Sequence, residues 1–96
     1  MTYNEFQTSL KGTGLPADVL PLVAALWWDA RGNWSRAHEI AQDIDSADGA
    51  WVHAYLHRKE GDAWNAGYWY GRAGRTDCQL SLSEEWQEIT RSLLEE

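Results

Sequence analysis

The stretch WVHAYLHRKEGD, residues 51 to 62, carries His53, His57 and Glu60 at intervals of four and three. On a helix these positions share one wedge of about 60°, beside an apolar face of Trp51, Val52, Tyr55 and Leu56. Side chains three and four residues apart are neighbours on a helix, so all three can meet one ion. Two imidazoles and a carboxylate form a donor set for a zinc-type divalent metal. The only other histidine, His38, belongs to the preceding element. The short connection over 45–49 makes the two elements antiparallel neighbours, so the expected metal set is His38, His53, His57 and Glu60. The spacing is not H-E-x-x-H, and no glutamate is built in as a metalloprotease base. Two other readings fit these residues: a solvated or hydrogen-bonded helix face, and a polar pocket for a small anion or peptide terminus using His53, His57 and Arg58.

Asp29 also stands out, because it falls between Ala25 and Leu26 in the apolar sector of its helix. An unpaired buried charge is costly, so a partner is expected, either Arg58 or a histidine. Asn65, Tyr68 and Arg72 project from the outer side of a later helix as a candidate face for a partner. Gly67 and Gly71 lie inside that helix, where each costs roughly 1 kcal/mol relative to alanine. They read as marks of close approach by another helix, in this chain or a second copy. The sequence contains no phosphate-binding glycine loop, nucleophile elbow or zinc-finger spacing, and no catalytic residue is assigned. Cys78 reads as an ordinary thiol.

The elements that position these residues read as all-α, about six helices in one domain over 1–96. A short helix over 2–10 ends at the Gly12–Gly14 turn. The next begins at residue 18 or 21 with a proline in its opening turn and stops at Gly32. Asn33 caps a helix over 34–44, with Trp34, Ala37, Ile40, Ala41 and Ile44 on one face. DSADG, residues 45 to 49, reads as a turn, and the helix after it runs from 50 to 60 and closes at Gly61. Asp62 caps 63–73, with Ala66, Trp69, Tyr70 and Ala73 inward. Ser81 and Glu84 have capping-box spacing before a last helix over about 83–95, whose apolar stripe is Trp86, Ile89 and Leu93.

The chain repeats itself across the candidate site. Setting LWWDARGNWSRAHEIAQD above YLHRKEGDAWNAGYWYGR, an offset of 29, aligns Gly32 with Gly61, Asn33 with Asp62 and Ala37 with Ala66. Each unit is an αα-hairpin with a small residue one turn into its second helix. Trp28, Gly32, Ala37, Gly61, Ala66 and YWYGRAG make the region 20–74 similar to tetratricopeptide and Sel1-like helical repeats. The spacing departs from the roughly 34 residues of the tetratricopeptide unit, and only two units exist. The resemblance implies a helical module that binds a protein partner or itself. The whole chain also resembles a family of short bacterial helical proteins containing WWDARG, AHEIAQDI and WVHAYLHRKEGD, a likeness that carries no function with it.

Composition narrows the partners. Eight basic against fifteen acidic side chains give a net charge of −7, which opposes binding to phosphate backbones or anionic membranes. Seven tryptophans and four tyrosines bring roughly 150–250 Å² of buriable surface each, and core or subunit interface is the expected use. Cys78 is the single cysteine, so no intrachain disulfide forms and a reducing cytoplasm is the expected location. MTYNEFQTSL has neither a basic start nor an apolar core, so no signal peptide is expected. LPLVAALWW is far short of the roughly 20 residues that span a bilayer. Two functions are expected in competition: a cytoplasmic interaction module with no cofactor, and a metal- or small-ligand-binding protein, conceivably a hydrolase, built on the histidines.

Overall fold

Thr2, Asn33, Ser46, Asp62 and Ser81 each accept a hydrogen bond from the backbone N–H three residues on, and each starts a helix. A short polar side chain there satisfies one of the free donors of the first turn, worth about 1 kcal/mol. In a computed structural model that describes residues 1–95, these caps open α1 (Tyr3–Ser9), α3 (Trp34–Gln42), α4 (Ala47–Glu60), α5 (Ala63–Arg72) and α6 (Leu82–Leu93). The remaining helix, α2 (Pro21–Ala30), has no side-chain cap and starts instead with proline at its first position, where a missing N–H is no loss. The chain is all-α: the described residues form six helices and no strand.

The expected start of the fourth helix is corrected. DSADG is not a free turn: Ser46 caps α4, and Ala47, Asp48 and Gly49 are its first turn. Only glycine fits at 49, because a Cβ there would lie 2.2 Å from the Ile44 carbonyl oxygen. Close approach of the chain, not turn formation, is what this glycine provides.

The two αα units have matching ends. Gly32 and Gly61 take left-handed backbone, φ 85° and 90°, a conformation with little cost only for glycine. After each, the next N–H reaches back to close the helix, Asn33 to the Trp28 carbonyl and Asp62 to that of His57, both at 2.9 Å. Tight reversals of this kind fold α2 onto α3 and α4 onto α5, and α3 and α4 also pack together. Gly67 and Gly71 do not admit another helix of the described chain: a Cβ at Gly71 would meet nothing within 4 Å, and at Gly67 only the Asp77 carboxylate.

The core lies between the hairpins and α6, with Phe6, Leu26, Trp27, Val52, Leu56, Tyr70 and Ile89 buried. Trp86 ties both chain ends to it, stacking on Phe6 at 6.0 Å and donating its indole N–H to the Leu26 carbonyl at 3.0 Å. No helix among the described residues is long and apolar enough to cross a membrane.

Candidate metal centre

The three histidines converge. His38 comes from α3; His53 and His57, one turn apart, come from α4. Their ring centroids form a near-equilateral triangle, 4.7 Å from His38 to His53, 5.2 Å from His38 to His57 and 4.8 Å from His53 to His57. One nitrogen from each ring lies within 4.8 Å of the others. His38 Nε2 and His53 Nε2 are 3.0 Å apart and share a proton as a hydrogen bond. Tetrahedral zinc with bonds of about 2.0–2.1 Å needs its nitrogen ligands roughly 3.4 Å apart. The spacing is thus near that of a cation cage before any ion enters.

Each ring is held in place by neighbours on other turns or helices. The indole of Trp34 stacks on His38 at 4.9 Å and 10°, while its N–H donates to the Leu56 carbonyl of α4 at 2.8 Å. Trp69 of α5 stacks on His53 at 4.0 Å and 20°, and His57 stacks on the same histidine. Glu60 sits 2.6 Å from His57 Nδ1. A carboxylate on Nδ1 fixes the ring and its tautomer and leaves Nε2 free for a ligand, as outer partners of metal-bound histidines do. Glu60 therefore belongs with His57 rather than among the converging nitrogens; its oxygen groups with His57 and Asp62 in a second, more exposed cluster.

The electrostatics favour the neutral form of two of the three rings, His53 and His38. Burial pushes the His53 imidazole down to about 4, and the potential charges of His38 and His57 push the same way. His38 is lowered by burial and by His57, against an opposing pull from Glu60. Neutral imidazoles carry the lone pairs that a metal requires.

The other expected site residues lie elsewhere. Asp29 is buried, but its partners are Tyr55, whose hydroxyl donates at 2.8 Å, and Lys59, at 2.9 Å. The expected Asp29–Arg58 or Asp29–histidine pairing is corrected: Tyr55 and Lys59 lie across α4 from the histidines, roughly 200° around the helix. Arg58 turns to α6 instead, where it pairs with Glu85 at 2.9 Å and donates to the Leu80 carbonyl, so it does not join His53 and His57 in an anion pocket. Asn65 is engaged by Asp62, through its backbone N–H at 3.2 Å and its side-chain amide at 2.6 Å. Tyr68 and Arg72 do share a face, with the guanidinium 3.1 Å from the phenol oxygen.

Three residues of consequence were not among those expected. Trp34 and Trp69 read from the sequence only as inward-facing positions of their helices, since their stacking depends on how three helices cross. Buried Glu85 accepts from Tyr70 at 2.6 and 2.8 Å, from Trp51 at 3.3 Å and from Arg58. A glutamate in the first turn of α6 reads as a helix-terminus charge, which hid its role in the core. Comparison with protein families, with curated proteins and with solved structures found no match to this chain.

Proposed function

We propose that this chain binds one divalent transition-metal ion through His38, His53 and His57, with Glu60 orienting His57. The observation that carries the reading is the convergence of the only three histidines of the sequence from two helices to metal-ligand spacing. Imidazole donors favour zinc, nickel and copper over manganese, so the ion belongs to that group. Three protein ligands leave a fourth position open, the arrangement found in catalytic rather than structural zinc sites.

Titration of untagged protein with zinc, nickel and manganese tests the reading, followed by tryptophan emission because Trp34 and Trp69 stack on two of the ligands. Binding of one zinc or nickel at micromolar affinity is expected, with manganese weaker. His53→Ala/His57→Ala removes two direct ligands and should bind at least about 100-fold less tightly, since loss even of a partner that only orients a ligand costs 10- to 100-fold. Equal affinity in the double variant, or no binding by the parent, overturns it.

A second reading has its own observation. Trp64 is 78% exposed and Tyr68 48%, their rings stacked at 6.5 Å beside Arg72. Aromatic and arginine side chains are enriched in protein interfaces. As an interaction module the protein would use this face for a protein partner or a second copy, and its tetratricopeptide likeness and cytoplasmic location belong to that reading. A pull-down that depends on Trp64 and Tyr68 but not on the histidines favours it.

A further inference from the structure

The outward side of α5 carries an aromatic knob and an open hole on one face. At 100° per residue, Trp64, Tyr68 and Gly71 fall within about 60° of one another, opposite the buried Ala66 and Tyr70. Trp64 is 78% exposed and Tyr68 48%, and the two rings lie nearly parallel, at 10°. Two turns on from Trp64, a Cβ at Gly71 would meet nothing within 4 Å. Helix propensity disfavours glycine there, and no close approach within the described chain requires it.

Charge changes sign along the same face. Glu60 and Asp62 stand at the turn into α5, and Arg72 ends the helix, exposed and hydrogen-bonded to Tyr68 of its own helix. A second copy laid parallel on this face would set like charges together, whereas an antiparallel copy carries Arg72 over the other's Glu60–Asp62 turn. An isologous pair uses one patch twice, so the patch must be complementary to itself. With the two-fold axis midway between Trp64 and Gly71, each indole faces the other copy's glycine and the two Tyr68 rings meet beside the axis. Knob, hole and charge therefore match in a single register.

We propose that this face is the interface of a reversible homodimer, two α5 helices crossing antiparallel with each Trp64 seated at Gly71 of the other copy. The inference rests on the interaction-module reading and names the partner as a second copy of this chain. Trp64 and Tyr68 leave roughly 200–300 Å² open on each copy. Two such patches fall short of the about 1,200 Å² of a standard stable interface, so association depends on concentration.

Sedimentation velocity of untagged protein, in chelator so that no metal bridges two copies, reads the association from micromolar to millimolar concentration. Far-UV circular dichroism and a melt at the dilute end check that each variant is folded. The parent is expected to pass from monomer to dimer as concentration rises. Trp64→Gly removes the knob and Gly71→Trp fills the hole, and each should weaken dimerisation about tenfold or more. The double variant exchanges knob and hole between facing positions and should regain most of the loss. A dimer indifferent to the single variants, or a double variant no better than either, overturns the inference. So does a parent that stays monomeric throughout. If that monomer still holds a different protein through Trp64 and Tyr68, the interaction-module reading stands with another occupant; if it does not, both fail.

Discussion

His53 concentrates the unusual chemistry of the molecule. It is 6% exposed, lies against an indole on one side and an imidazole on another, and hydrogen-bonds a third ring. Its depressed basicity couples stability to pH. The folded state holds it neutral down to about 4, whereas an unfolded histidine protonates near 6.5. Stability from this residue is therefore complete above about pH 6.5 and is lost as pH falls towards 4, because the unfolded chain takes up the proton first. His38 shifts the same way and adds to the effect, while Glu60, facing His57, opposes it. Denaturant unfolding between pH 7 and 4 should show a decline of which roughly 2 to 3 kcal/mol is missing in a His53→Gln variant. A parallel decline in both proteins would assign the acid sensitivity to other groups.

Among the helices, glycine has opposite meanings at two positions with the same one-letter sign. Gly49 stands where a methyl would strike the Ile44 carbonyl, whereas a methyl at Gly71 would enter open space on an ordinary helical turn. Gly49→Ala should therefore destabilise by about 2 kcal/mol or more, through forced movement of the α3–α4 connection. Gly71→Ala should stabilise by roughly 0.5–1 kcal/mol, the helix propensity difference. Thermal melts of the two single variants check both signs together. The same contrast explains what was legible in the sequence. Asn33, Gly32, Gly61, Asp62 and Ser81 announce helix ends because capping is local chemistry, and His53 and His57 share a face because helical spacing is local as well. His38 followed from the short connection to the next helix. Gly49, the partners of Asp29 and the stacking of Trp69 on His53 were not legible, because each depends on how separate helices approach.

Across the whole molecule, two buried carboxylates join separate helices. Asp29 of α2 is held by Tyr55 and Lys59 of α4, and Glu85 of α6 by Trp51 and Arg58 of α4 and Tyr70 of α5. Both sets meet on α4, so α2, α5 and α6 are tied together with it. Burial and the neighbouring carboxylate push each tyrosine hydroxyl upward, which keeps it a donor throughout the ordinary pH range. Removing one side of such a cluster leaves a polar group buried without its partner. Glu85→Ala is therefore expected to cost about 3–5 kcal/mol, and Glu85→Gln, which keeps an acceptor oxygen, distinctly less. Urea midpoints for the two variants measure the difference. Because α4 is gripped on one flank by Asp29 and Glu85, the histidines on its other flank stand on a fixed rail. Under the proposed metal reading, an ion too large for their triangle would have to push α4 against its anchorage to Asp29 and Glu85, so discrimination by ionic radius would be set from the opposite side of the helix.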